Sequence, residues 1–486
     1  MKRIVHFLKS QKAFIIIFLL CFSYWGYLFV NSQMEIKYDA VDYEYLGTVI
    51  YQHGWGQFFK QGPNREPLYP WLIASSMNIA HGLDIPYQQV QKFLQIIILF
   101  ITQLMLLALL KKAKIHNAII GATILYFGFS PAIVNSTFSL YSEIAAYPFV
   151  LGMIYFGYLS WRDIHVGTLS KVMWWGILIS LSFMGAAFVK AIFQYIFLIY
   201  LIPYGYVVLY SLIKKDKGVF VKAFIFIIVS SSMLVSSVIS YRFLNKYYNG
   251  TFDFTNRYDV NLFGTIAKRV DHLSPQLMMA HLASVPGTGV CRAFFSEENC
   301  KYCEFFGMDQ YRAAILPELL RNRSITDGED RKRATLSFAF EKISENPLQY
   351  FFLTAIESLK MAFWESTQIG FVLYPHFLKQ LFNSMPIKNG IRLLVSLLTY
   401  FSLFYIIGQL YRWRSKLRDF KSDEVAGIQI GFFVLLIIVP FTGFYALFPI
   451  LTRFALPIAA LYLFCIAFTA QGLTFGKKLH KKPAQV

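Results

Sequence analysis

Hydrophobic runs recur along the chain, separated by short polar stretches. About 20 apolar residues, at 1.5 Å rise each, cross the hydrocarbon core of a bilayer. Ten runs are expected to do so: Ala13–Val30, Phe93–Leu110, Ala118–Ser136, Ile144–Ser160, Val172–Val189, Ile192–Ile213, Phe220–Ser240, Ile391–Tyr411, Gly427–Leu447 and Phe454–Gly472. The fifth and sixth read as a tight hairpin interrupted only by Lys190. Two longer regions fall outside the pattern. In Asn31–Lys92, Pro67 opens a short apolar stretch, Trp71–Ala80, as a helix start on the membrane surface; proline costs nothing there because its missing N–H would be unpaired anyway. In Tyr241–Gly390, the stretches Tyr350–Trp364 and Gly370–Phe382 are too short or too interrupted to span, and are expected to lie along the membrane. Ahead of both, Arg321–Arg333 is a mixed-charge run expected to be a solvated loop.

The expected fold is therefore an all-α membrane protein of about ten transmembrane helices. It has surface-lying helices in the first outer loop and in a large outer loop. Residues 1–240 form an N-terminal transmembrane module containing the loop 31–92. Residues 241–390 form the large loop, and 391–486 the C-terminal transmembrane helices. The pattern shows no internal repeat and no low-complexity linker.

Composition agrees. Of 486 residues, 56% are hydrophobic and 15% charged, against about 25% charged in soluble domains. Mean hydropathy is +0.48. The formal charge of +19 does not point to nucleic acid, because many basic residues sit in short segments between apolar runs. Met1–Lys12, Lys111–Asn117, Trp161–Lys171, Lys214–Lys222, Arg412–Lys421 and Leu473–Val486 hold almost half of the 46 lysines and arginines. Such a bias marks cytoplasmic segments. Both termini are then cytoplasmic, and the first run is an uncleaved anchor, since Asn31-Ser32-Gln33 is no cleavage site. The outer face carries Asn31–Lys92, Asn135–Glu143, Lys190, Tyr241–Gly390 and Phe448–Arg453. Of five cysteines, Cys21 and Cys465 lie within apolar runs. Cys291, Cys300 and Cys303 lie in the large loop, where one disulfide is expected in an oxidising compartment. Cys300-x-x-Cys303 lacks the second pair of a zinc site.

The candidate chemistry lies on the outer face. Asp39 and Asp42, three residues apart, share a helical face with Tyr43 nearby. They read either as solvated loop acids or as a pair in which one partly desolvated carboxylate is a general base. Arg65, in Arg65-Glu66-Pro67-Leu68-Tyr69-Pro70, has the fork geometry that holds a phosphate. Ser142 reads as an N-cap before Glu143, in the first turn of the fourth span; Glu143 could equally contact an acceptor. Arg453 and Lys190 end apolar helices, where each either snorkels to the headgroups or holds a departing lipid phosphate.

Taken together and in order, these motifs resemble the multi-spanning glycosyltransferases of the GT-C superfamily, in particular bacterial relatives of protein O-mannosyltransferases and the lipid A aminoarabinose transferase. Asp39 and Tyr43 match the acid and tyrosine after the first span. Arg65, Pro67, Leu68 and Tyr69-Pro70 match the basic–proline–aromatic entry to an apolar helix. Ser130-Pro131 with Glu143, Glu345-Asn346-Pro347, and Arg453-Phe454-Ala455-Leu456-Pro457 match the later motifs. Many relatives carry two adjacent acids where this chain has Asp39-Ala40, so either Asp39 or Asp42 could be the base; the spacing to Tyr43 favours Asp39.

The resemblance implies transfer of a sugar from a polyprenyl-phosphate donor to a glycan, lipid or protein acceptor hydroxyl, with inversion, at the outer face. It places Asp39 or Asp42 as catalytic base, Arg65, Arg453 and Lys190 on the donor phosphate, and Tyr43, Tyr69 and Glu143 at the sugar or acceptor. The resemblance names no certain cofactor and leaves a divalent metal possible: some superfamily members use one and others do not, and Asp39 with Asp42 could serve either role. Partners are membrane lipids and the lipid-linked donor, with no nucleic acid. The expected location is a bacterial inner membrane; the glycosylation triplets Asn249-Gly250-Thr251 and Asn322-Arg323-Ser324 also admit an endoplasmic reticulum. The competing class is a transporter or flippase for a lipid-linked or anionic solute, which predicts charges buried at mid-bilayer.

Overall fold

The computed structural model describes residues 11–256, 262, 274–303, 316–322, 328–365, 371–414, 425–448 and 450–479. In chain order the elements are α1 (Gln11–Asn31), β1 (Gln33–Met34), α2 (Asp39–Lys60), α3 (Leu68–Leu83), α4 (Tyr87–Lys112), α5 (Asn117–Phe129), α6 (Pro131–Phe138), α7 (Glu143–Val166), α8 (Leu169–Val189), α9 (Phe193–Ile213) and α10 (Lys217–Asn249). There follow α11 (Pro275–Ser284), α12 (Thr288–Phe294), α13 (Glu297–Tyr302), α14 (Gly328–Glu345), α15 (Pro347–Leu359), β2 (Val372–Leu373), α16 (His376–Asn383), α17 (Met385–Arg412), α18 (Ala426–Ala446), a 3-10 turn (Thr452–Ile458) and α19 (Ala459–Leu479).

Among the described residues, nine helices are long and apolar enough to cross a membrane, or ten if α5 and α6 form one span. The chain is an integral, multi-pass membrane protein. Every expected run falls on one of these helices. The third is not straight. α5 and α6 meet at a 44° bend because Pro131 keeps Ser130 out of the helical region (ψ 120°). Ser130 Oγ then accepts from the Ile133 N–H at 3.3 Å, starting α6 afresh.

The helices gather into two compact units. The first comprises Met1–Phe254, Glu365–Ile438 and Leu456–Val486. Within it α7 packs on α8, α8 and α9 on α10, and α2 on α3. A Cβ on Gly47 would come within 2.5 Å of the Ile73 side chain, so only glycine lets α2 and α3 approach this closely. Many leucines and isoleucines of the spans, such as Leu209 and Ile213, face outward, as lipid contact requires.

Lys92 on α4 locks the first span in place. Its Nζ donates to the carbonyls of Phe29 (2.6 Å) and Ser32 (2.9 Å), capping the end of α1. Replacing Lys92 by Met leaves these acceptors buried and unpaired. A loss of about 2 kcal/mol is expected, read as a lower thermal midpoint in detergent; an unchanged midpoint contradicts this role.

The expected surface helix Gly370–Phe382 takes a different form. Val372–Leu373 is extended and pairs antiparallel with Gln33–Met34, and the helix begins only at His376. Pro375 favours extended backbone at Tyr374, and Glu35 N–H extends the pairing to Phe371 O at 3.0 Å.

The second unit comprises Thr255–Trp364 and Val439–Ala455. It is smaller than the loop read from the sequence. The residues from Tyr241 to Asn249 continue α10 as one 33-residue helix, and the chain from Glu365 onward rejoins the first unit together with most of the C-terminal spans. Cys291 and Cys300 form a disulfide in a small core with Leu277, Ala280 and the buried Cys303. The charged run Arg321–Arg333 is helical at both of its described ends; 323–327 lie outside the described residues. Its lysines and arginines are good helix formers, and α14 buries Ala334, Thr335 and Ala339.

Candidate functional site

The first turn of α2 carries Asp39 and Asp42. Two carboxylates near a helix N-terminus are favoured by its dipole, and their spacing puts them on one face. α2 runs out to Lys60, kinking at Gly54 (φ 74°), and the chain reverses at Gly62 (φ 84°). That reversal brings Arg65 back to where α2 began.

Arg65 is 8% exposed. Its Nη2 donates to Asp39 Oδ1 at 2.6 Å and to Asp42 Oδ2 at 3.0 Å. Its guanidinium carbon lies 4.8 Å from the centre of the Tyr43 ring, a cation–π contact. Burial alone would lower the Arg65 pKa; the neighbouring Tyr43 and Asp39 outweigh it and hold the group above its ordinary value. Arg65 Nε is buried and has no hydrogen-bond partner among the described residues.

The cluster continues through Tyr43. Its hydroxyl bonds Ser142 Oγ at 2.9 Å, and its ring packs edge-on against Tyr69 at 5.1 Å. Ser142 stands at the N-cap position of α7, but its side chain makes no capping bond there; the expected capping role is replaced by the bond to Tyr43. Next to Ser142, Glu143 is buried and accepts from Lys190 Nζ at 3.3 Å. Tyr69 donates to Gln95 Oε1 at 2.8 Å. Burial, then the charge of Glu143 and the neighbouring Tyr43, hold the Tyr69 hydroxyl well above its ordinary pKa, so it stays a neutral donor.

Thus seven of the eight residues singled out from sequence form one chain of contacts: Asp39, Asp42, Arg65, Tyr43, Tyr69, Glu143 and Lys190. The eighth, Arg453, belongs to the second unit, where its guanidinium lies 5.7 Å from the Phe454 ring centre.

Two further acids hold backbone groups in place. Glu66 Oε1 accepts the Ala191 N–H at 2.8 Å. That bond fixes the hairpin turn after Lys190, whose extended backbone (φ −145°, ψ 107°) aims it at Glu143. Glu66 sits inside the quoted motif, but nothing in its spacing indicates a partner 125 residues away. Glu365 is the second. It is buried and accepts from Ser130 Oγ (3.0 and 2.8 Å) and Ala132 N (3.2 Å) at the broken span. Its only sequence signal is an acid following an aromatic stretch.

Asp39 and Asp42 are bridged by the Arg65 guanidinium, and among the described residues no three His, Cys, Asp or Glu side chains are grouped to hold a metal ion.

No family model matches the chain, and no curated protein is significantly similar to it in sequence.

Proposed function

We propose that the protein is a membrane glycosyltransferase that moves a sugar from a polyprenyl-phosphate donor to an acceptor hydroxyl, with inversion at the anomeric carbon. The observation that carries this reading is Arg65: a buried guanidinium bridging two carboxylates, with its Nε–H directed at no acceptor among the described residues. A cation suited to a phosphate thus stands beside a candidate base.

The chemistry needs little else. The leaving group is a phosphate, stable as an anion, so no general acid is required. Asp39 takes the acceptor proton as the new C–O bond forms. The bond from the anomeric carbon to the phosphate oxygen breaks, and its electron pair leaves with the phosphate. Donor phosphate competes for Arg65 and draws it from Asp42, the more exposed of the pair (51% against 31%). Lys190 adds charge for the leaving group. Tyr43, Tyr69 and Glu143 contact the sugar or acceptor. The expected setting is a bacterial inner membrane, with this site outside and both termini in the cytoplasm.

A transporter reading requires charges at mid-bilayer. Among the described residues, the charged side chains of the spans lie within about two turns of a helix end. Lys92, Asp163, Arg242 and Arg392 are examples.

In vesicles, transfer from a radiolabelled polyprenyl-phosphate sugar is expected to fall ~10²- to 10⁴-fold in Asp39→Asn and far less in Asp42→Asn. Equal transfer by wild type and Asp39→Asn removes Asp39 as the base.

A further inference from the structure

At the membrane face opposite Lys190, α9 and α10 meet around a cavity of about 150 Å³. α9 has 21 residues, so its two ends stand about 30 Å apart, and this cavity is remote from Asp39 and Arg65. His165, Tyr206, Tyr210, Ser211, Lys214 and Asp216 line it. We propose that it binds the phosphate of an anionic phospholipid. The inference does not depend on glycosyl transfer.

Position is the first argument. The cavity lies where two spans end, so a ligand there is at headgroup depth. Tyr206 and Tyr210 occupy the last two turns of α9, stacked at 6.1 Å, and both are exposed. Amphipathic rings at this level are the usual headgroup anchors. Lys214 follows one residue beyond the span, with its Nζ 6.0 Å from the Tyr210 ring centre.

Charge is the second. Lys214, Lys215, Lys217 and Lys222 surround the α9–α10 turn, with Lys171 at the start of α8. Asp216 is the one acid of the cavity, and its Oδ1 accepts the Val219 N–H at 3.1 Å as the N-cap of α10. Asp163 nearby is held by Arg162 and by Trp175 Nε1. The turn therefore presents net positive charge to the leaflet. Basic pockets between spans take anionic headgroups for this reason.

The backbone is the third. α9 closes with Asp216 N–H on Ser211 O at 2.9 Å and Lys215 N–H on Leu212 O at 3.2 Å. This closure puts Lys215 at φ 57°, a position that glycine fills without strain. A lysine there costs stability and supplies a cation at headgroup level.

The test uses the full chain, purified in detergent and offered phosphatidylglycerol or phosphatidylcholine, with retained lipid counted by native mass spectrometry. Wild type is expected to keep phosphatidylglycerol in preference. Lys214→Gln is expected to lower that retention about fivefold, the effect of about 1 kcal/mol per lysine at the surface. Lys215→Gly removes a cation while relieving the backbone, so it is expected to lose lipid without losing thermal stability. Lys379→Gln, on α16, should retain lipid as wild type does. Equal retention of the two lipids, or undiminished retention in both Lys214→Gln and Lys215→Gly, overturns the proposal. Displacement of the lipid by millimolar inorganic phosphate also overturns it, assigning the cavity to a free anion.

Discussion

Arg65→Met is expected to lower sugar transfer at least about a thousandfold. Two losses combine. A donor preorganised on a developing anion is commonly worth ~10²- to 10³-fold, and Arg65 is the buried cation of the cluster. Its removal also leaves Asp39 and Asp42 side by side with no cation between them. Adjacent carboxylates repel, so the base loses its position as well. Arg65→Lys separates the two effects. An ammonium restores the charge but lacks the planar fork and stacks less well on Tyr43, so recovery should be partial. Initial rates at saturating donor, with thermal midpoints for all three proteins, check the claim. Transfer by Arg65→Met within tenfold of wild type would contradict it.

The second large effect concerns stability. Glu365→Ala is expected to cost about 3 kcal/mol, because Ser130 Oγ and the Ala132 N–H lose their shared acceptor in a buried setting. Glu365→Gln keeps an acceptor and should cost much less. Its cost should also depend on pH. Burial holds the Glu365 carboxyl above its ordinary value, against the lowering effect of Ser130, Ala132 and Tyr126. A raised acid contributes most below its unfolded pKa, and that contribution is lost as pH rises through the folded one. The gap between wild type and Glu365→Gln should therefore be widest in acid and narrow toward neutrality. Thermal midpoints over that range read it directly; a gap that widens with pH would show that the ionised form is the one held.

How much of this could be read from the sequence depends on the range of the interaction. The spans were legible because crossing a bilayer needs only a local run of apolar residues. The shared face of Asp39 and Asp42 was legible because it follows from helical spacing. Ser130-Pro131 was visible only as a motif inside the third run; neither the bend it makes nor the carboxylate that sits on it was legible, since Glu365 arrives from 235 residues away. Arg65 was visible as a cation near the acids. That it holds both of them depends on the reversal at Gly62 and on the close α2–α3 approach at Gly47. Ser142 was misleading for the opposite reason. Its local capping pattern was sound, and a long-range partner, Tyr43, outcompeted it. A disulfide among three cysteines was expected, but the choice of Cys291 and Cys300 needed the folding of α11 to α13 around them.

The most direct measurement follows label on the donor. Purified wild-type protein in proteoliposomes would be given radiolabelled sugar on polyprenyl phosphate, with crude acceptor extract, and the lipid fraction sampled over time. The account predicts that label leaves the carrier and appears in acceptor, at a rate that collapses in Arg65→Met. Label that stays on the carrier, or crosses the bilayer still attached to it, would contradict the account and make the protein a transporter.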